Sequence, residues 1–398
     1  MAKRIMVSGV GCCLADHLYN NISFTAEPFP AYLSKRRGDG GLIPGHLVFK
    51  EEFEQFAGQN LQSILKLIAN GKLPDRINVG GPCIVALIHA AQMLENTDCE
   101  FRFYGYGGKD EDGDFLLSSL SKTPVNIDNY ELSGKLTPST VVFSDPTYDH
   151  GHGERIFINS IGAARDYSPE ELNDSFFASD VTVFGGTAIV PTIHDNLTEL
   201  LQKAKSKGCM TIVNTVYDFR HEKADPASKW PLGKSDESYH NIDLLISDFE
   251  EALRLSGKLT FDEAMNFFHR NGTRAVIVTN GSNNLRVFAN GDGLFRKLDD
   301  LEMPISEAVS EELRNGNLGD TTGCGDNFVG GVISSLVYQL QNKDNNLDLM
   351  EACMWGVVSG GYTCFYVGGT YFEKETGEKR ELVTPYYELY KKQIRDGK

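Results

Sequence analysis

The sequence predicts an α/β fold, a mostly parallel central sheet covered by helices on both faces, with a small β flap beside it. Apolar runs of strand length alternate with helical patterns for most of the chain, which implies parallel strands in an α/β/α sandwich. Helix start and stop signals stand between the runs. Two segments, 17–50 and 139–162, break the alternation. No repeat, low-complexity tract or long linker divides the 398 residues, so one domain spanning 1–398 is expected.

The runs IMVSGV (5–10), FRFYGYG (101–107), VTVFGG (181–186), CMTIVNT (209–215), DLLIS (243–247) and AVIVTN (275–280) read as buried strands. Ser168-Pro169-Glu170-Glu171 and Thr260-Phe261-Asp262-Glu263 read as capping boxes that open helices, with Gly208 and Gly272 as carboxyl-terminal stops. The N-terminus, MAKRIMVSGVGCCLA, imitates a signal peptide, but Gly9 and Gly11 interrupt the apolar run and no good cleavage site follows. A buried first strand, Arg4 to Val10, explains it better. Residues 17–50 are rich in Gly, Pro and aromatics and lack helical periodicity, while TVVFSD and RIFINSI within 139–162 read as a hairpin.

Composition narrows the function classes. The balance of 38 basic against 55 acidic residues gives a net charge of −17, which argues against nucleic-acid or anionic-membrane partners. No stretch approaches the length of a membrane span. The eight cysteines lie at 12, 13, 83, 99, 209, 324, 353 and 364 without a CxxC pair, the pattern of reduced thiols in a cytoplasmic protein. The vicinal Cys12-Cys13 pair reads as small hydrophobes ahead of a metal or redox site.

Chemistry concentrates in 319-GDTTGCGDNFVGGVISSL-336. Gly323 and Gly325 let successive backbone N–H groups converge, and the run that follows reads as a helix whose N-terminus adds partial positive charge. Asp326 stands at the mouth of this anion hole. A carboxylate there would repel a resting phosphate, so its placement suggests a base that accepts a proton from an attacking hydroxyl. An anion hole plus a base is what phosphoryl transfer to an alcohol needs. The competing reading is a glycine-rich turn with Asp326 as a cap.

The segment Asp320, Thr321, Thr322, Gly323, Cys324, Gly325, Asp326 resembles the Asp-Thr-x-Gly-Ala-Gly-Asp motif of the ribokinase (PfkB-type) carbohydrate kinases, with Cys324 for alanine. Other matches follow in the family's order. Gly80-Gly81 looks like its sugar-site Gly-Gly motif, and Gly108-Lys109-Asp110-Glu111-Asp112-Gly113 is similar to its Gly-x-Asp-x-x-Gly segment. Asp248-Phe249-Glu250-Glu251 resembles the Asn-x-x-Glu segment that organises magnesium and phosphate, and Thr279-Asn280-Gly281 the Thr-x-Gly turn near the nucleotide. Asp16 falls where the family often holds sugar hydroxyls.

The resemblance implies a ribokinase-like three-layer sandwich whose flap, 17–50 and 139–162, is a substrate lid. It implies an ATP-dependent sugar kinase with Asp326 as base and the amides of Gly323, Cys324 and Gly325 as anion hole. Mg²⁺ is expected at Asp248 and Glu251 through water, and a monovalent cation is a further candidate cofactor. The expected acceptor contacts are Asp16, Gly80, Gly81, Asp39 in the long GDGGLIPG lid segment, and Arg220. The expected nucleotide contacts are Thr279, Gly281, Asn284 and Thr321. Three departures stand out: Asp248 for asparagine, Asn284 for glycine, and Val85 near the place of a sugar-contacting asparagine.

Several signals carry less weight. Arg155 reads as a solvated strand end ahead of a side chain reaching into the site from the lid, and Arg220 as either a phosphate or substrate contact or a surface ion pair. Asp149-His150-Gly151-His152-Gly153-Glu154 reads as an exposed turn ahead of a metal cluster. Gly9-Val10-Gly11-Cys12-Cys13-Leu14 half-matches a dinucleotide fingerprint, with Leu14 where the third glycine belongs, and no GxxxxGK[ST] exists. A nucleoside kinase is the alternative within the class, with Phe24, Phe29 and Tyr32 of the lid available for base stacking. A non-catalytic sugar or nucleotide sensor is the alternative outside it, and an NAD-dependent oxidoreductase a distant one. A homodimer through an exposed lid strand is a candidate assembly.

Overall fold

Alternate residues of the predicted strands feed two separate cores, the reason those runs are apolar throughout. Val183, Ile212, Leu244, Ile246, Ala275 and Ile277 enter one core; Phe184, Val213, Leu245, Val276 and Val278 enter the other. Each strand is thus buried on both faces, as a parallel sheet between helical layers requires. The computed structural model describes residues 4–36, 38–151, 153–316, 319–342 and 346–397.

Two sheets are formed. The strands are β1 (Ile5–Gly11), β2 (Leu14–Asn20), β3 (Leu47–Phe49), β4 (Arg76–Gly80), β5 (Cys99–Gly108), β6 (Asn126–Ser133) and β7 (Ser139–Asp145). They continue with β8 (Glu154–Ser160), β9 (Val181–Gly185), β10 (Met210–Asn214), β11 (Leu244–Asp248), β12 (Ala275–Asn280), β13 (Asn283–Ala289) and β14 (Leu298–Met303). The larger sheet has the order β14-β13-β12-β11-β10-β9-β1-β5-β6, parallel from β12 to β6 and antiparallel at the β13–β14 edge. The smaller sheet runs β3-β8-β7-β2-β4 and draws on both segments that interrupt the alternation. The half-match to a dinucleotide fingerprint ends here, because β2 rather than a helix follows β1.

The smaller sheet has its own aromatic core. Phe24 and Phe29 stack with centroids 4.8 Å apart, Phe29 meets Phe143 at 5.6 Å, and Tyr32 meets Phe53 at 6.0 Å. Phe24, Phe29 and Tyr32 are buried there, so the rings expected to be free for stacking on an acceptor are used to build the sheet.

One helix start also differs from expectation. Ser168 makes no capping bond, and Pro169–Glu171 is a single 3₁₀ turn. Asn173 instead accepts from the Ser175 amide and opens a separate short helix, Asp174–Phe177, a local bond that competes with helix continuation. Thr260 does accept from the Glu263 amide and starts Phe261–Arg270. Gly208 and Gly272 follow their helices at positive φ. Cys12 and Cys13 are buried, one in each main core. Among the described residues no helix is long and apolar enough to cross a membrane.

Candidate active site

The carboxyl ends of β1, β9 and β10 bring Gly11, Gly185 and Asn214 side by side in register. β1 lies between β5 and β9, so chain connections leave it in both directions, and such a switch point opens a crevice at the strand ends. Two helices point their N-termini toward this edge. Helix Pro82–Met93 starts at Gly81, whose φ of 116° only glycine tolerates and whose Cβ would stand 2.1 Å from the Cys12 carbonyl oxygen. Helix Cys324–Gln341 starts at Gly323, with φ at 75° and room for no Cβ, since one would lie 2.4 Å from Gly369 Cα. A Cβ on Gly325 would meet nothing within 4 Å, so the space beside this first turn is open, and of its amides that of Cys324 makes a long bond, 3.4 Å, to the Thr321 carbonyl oxygen.

Carboxylates converge on that cradle from three elements. Asp326 lies in the first turn of the Cys324–Gln341 helix, half-buried, and burial pushes its carboxyl up to about 6. Asp16, on β2 beside Thr140 of β7, is 7% exposed; burial pushes it up to about 7, and the charges of Asp326 and Asp320 add to the rise. Gly80 lies close against it, in the same place a side chain would strike the Asp16 carboxylate. Glu251 accepts from Thr215 Oγ1 at 2.5 Å and from the Asp248 amide at 3.2 Å, while Asp248 caps the Glu251 amide at 2.8 Å. Burial first, then the Asp248 charge, raises Glu251 to about 8, and Asp326 contributes.

Sequence reading missed the group that shapes the cradle from behind. The Asn327 amide donates to the carbonyl oxygens of Gly323 at 2.9 Å and Gly369 at 2.7 Å. Its oxygen is shared by His89 Nδ1 at 2.8 Å and the Tyr366 hydroxyl at 3.3 Å. Lys379, fully buried, donates to that hydroxyl at 2.8 Å and lies over the rings of Tyr362, Tyr366 and Tyr371; burial depresses its ammonium to about 7. Asn327→Ala would strip the partner from the Gly369 carbonyl and from His89 Nδ1 at once, while the Gly323 carbonyl keeps the backbone amide of residue 327. It is expected to destabilise the protein by about 2–4 kcal/mol in urea unfolding. An unchanged midpoint would remove the clamp from the account.

The smaller sheet supplies a guanidinium. Arg155, read from sequence as a solvated strand end, donates to the hydroxyls of Thr321 and Thr322 and stands 3.9 Å from Asp320. It reaches the 320–322 turn because β8 pairs with β7, which pairs with β2, the strand that carries Asp16.

Other candidates are placed elsewhere. Asp39 is taken up by its own loop, accepting from the amides of Lys35, Arg36 and Gly41 and from Ser34, and these bonds, Gly41 foremost, hold it down at about 2. Arg220 is bonded in bidentate fashion to Asp195, so the structure selects the ion pair over a free phosphate contact. It adjoins His194, Asp218 and His221, which gather within 4.8 Å, but both His194 nitrogens are engaged by Thr187 and the Pro231 carbonyl. Thr279 stands beside Asp248 in register and Gly281 forms the β12–β13 turn, whereas the Asn284 amide turns to Glu302 of β14. In the histidine-rich turn, His152 lies outside the described residues. Asn214 Oδ1, at the sheet edge, is buried with no partner.

Residues 78–376 match the family model described as "pfkB family carbohydrate kinase". The chain belongs to this family. Solved structures share the pfkB fold at low identity. The adenosine kinase from Sinorhizobium meliloti is 17% identical, with 97% of this chain and 99% of that one covered and a TM-score of 0.67. A probable sugar kinase from Rhizobium etli is 17% identical over 97% and 99% of the chains, with a TM-score of 0.66. The Arabidopsis thaliana ribokinase, solved with ribose and ATP, is 16% identical over 97% and 99%, with a TM-score of 0.60. The glycine-rich turn, Gly323 to Asp326, lies inside the pfkB match, and Asp16 lies ahead of it.

Proposed function

We propose that this pfkB-family kinase transfers the γ-phosphoryl group of ATP to a hydroxyl of a sugar or sugar derivative. The observation that carries the reading is Asp326, a carboxylate with a raised proton affinity in the first turn of a helix, beside open space at Gly325. Asp326 accepts the proton of the acceptor hydroxyl as its oxygen attacks the γ-phosphorus. The amides of Gly323, Cys324 and Gly325 take the charge on the transferring oxygens. Asp16 and the Gly80-Gly81 turn hold the acceptor's other hydroxyls, and Thr321, Thr279 and Gly281 border the nucleotide. The smaller sheet acts as a lid of the same single domain, carrying Asp16 and Arg155 onto the site.

The donors around Glu251 suit a hard divalent cation: oxygen ligands, buried, with carboxylate charges for neighbours. Mg²⁺ held there and at Asp248 through water would neutralise the β- and γ-phosphate oxygens. Because Glu251 is protonated below about 8, Mg²⁺ affinity is expected to rise with pH up to that value and level off above it. Calorimetry in buffers of different ionisation enthalpy reads the released proton; no release, and an affinity flat in pH, would remove Glu251 from the cation site.

A nucleoside acceptor is the second reading, favoured by Val85, a buried apolar side chain beside Gly369 on the cradle's flank. ADP release with Mg-ATP over a panel of sugars, sugar acids and nucleosides decides between them. Turnover of adenosine and of no sugar would establish the second, and ligand binding without ADP release from any acceptor would defeat both.

A further inference from the structure

The cradle carries a chemistry that phosphoryl transfer does not use. Cys324 and Cys364 place their sulfurs 3.3 Å apart. Cys324 is the first residue of the helix at the anion hole, and Cys364 caps the carboxyl end of helix Leu349–Thr363. The two helices touch closely here, since a Cβ on Gly360 would stand 2.8 Å from the Cys324 carbonyl oxygen. The Cys364 carbonyl also accepts from the Gly319 amide at 2.7 Å, which ties it to the chain leading into the anion-hole turn. Both residues are partly exposed, as is Cys99, whereas Cys12, Cys13, Cys83, Cys209 and Cys353 are buried.

We propose that Cys324 and Cys364 are an oxidation site, forming a reversible disulfide with a hydroperoxide as oxidant and thereby disarming the anion hole. Cys364 is the attacking sulfur: the hydrogen bond from the Cys324 thiol pulls its pKa below the ordinary thiol value, while Cys324 is pushed up. The Cys364 thiolate attacks the peroxide oxygen, the O–O bond breaks, and the released hydroxide or alkoxide takes a proton, leaving a sulfenic acid. The Cys324 sulfur then displaces hydroxide from the sulfenic sulfur, and the thiol proton leaves with it as water. The sulfurs close from 3.3 Å to about 2.05 Å, and the movement falls on the residue whose amide serves the anion hole. A dithiol reductant reverses the bond by exchange.

The test uses the full chain treated with hydrogen peroxide. A cross-linked peptide joining Cys324 to Cys364 is expected, the intact mass should fall by two hydrogens, and free thiols in denaturant should fall from eight to six. Turnover should drop by about 10²-fold, the scale of a reacting group displaced by about 1 Å, and return with dithiothreitol. Cys364→Ala should keep its activity and lose the dithiothreitol-reversible part of the inactivation. Absence of the cross-linked peptide, full activity with the bond formed, or unchanged reversible inactivation in Cys364→Ala would each overturn the proposal. Its effect on turnover rests on the kinase reading, but the peptide, mass and thiol count need no acceptor, so the two can fail separately.

Discussion

Asp326→Asn is expected to fold normally and to lose about 10²-fold or more in turnover, with Mg-ATP binding retained. The amide is nearly isosteric with the carboxylate and leaves the helix start at Gly323 unaltered, but it cannot accept the hydroxyl proton. The wild-type pH profile tests the same assignment from another side. With Asp326 raised to about 6, its basic form is depleted below that pH, so kcat/KM should fall about tenfold per unit there and the variant should lack this limb. Stability moves the other way. A carboxyl raised on folding contributes most below its unfolded value and loses that contribution as pH climbs through about 6. Removing the ionisable group should therefore leave the variant at least as stable as wild type at neutral pH, measured by urea unfolding. Undiminished ADP release by a folded Asp326→Asn protein would end the assignment.

Arg155→Ala is the second large effect, an expected loss of about 10²–10³-fold in kcat. The guanidinium spans the gap between the smaller sheet and the anion-hole turn, held by Thr321, Thr322 and Asp320, with donor capacity left for phosphate oxygens. In such a place it can both close the lid and meet charge developing on the transferred group. Arg155→Lys separates the two roles: the charge survives and the planar fork does not, so recovery should be partial. Single-turnover kinetics would show whether the chemical step is slowed. Unchanged kcat and unchanged KM for ATP in the alanine variant would return Arg155 to a surface role.

The strands of the larger sheet legible in sequence were those buried on both faces, where an apolar run has no other use, and the β7–β8 hairpin of the smaller sheet was legible as well. β13 and β14 were not singled out, because in an edge hairpin polar residues break the apolar run, as in NNLRVFA and LDDLEM. Ser168-Pro169-Glu170-Glu171 carried a helix-start pattern, yet Asn173 two residues later formed the cap that held. Phe24, Phe29 and Tyr32 were legible as lid aromatics but not as lid core, since nothing local in the chain tells an exposed ring from one that must pack a small sheet.

The candidate site divides along the same line. Gly-Cys-Gly-Asp at a helix start is a local statement, dictated by backbone freedom and helix polarity over a few residues, so the proposed anion hole and base could be read from the sequence alone. Arg155, Asn327 and Lys379 have no local pattern. Arg155 lies 166 residues in sequence from Thr321, and Lys379 reaches the clamp through Tyr366 and Asn327. Asp39 and Arg220 had suitable chemistry but found nearer partners, because a charged group pairs with whatever packing brings within reach. The pairing of Cys324 with Cys364 belongs to this second kind: forty residues separate them in sequence, and only the packing of two helices sets their sulfurs at 3.3 Å.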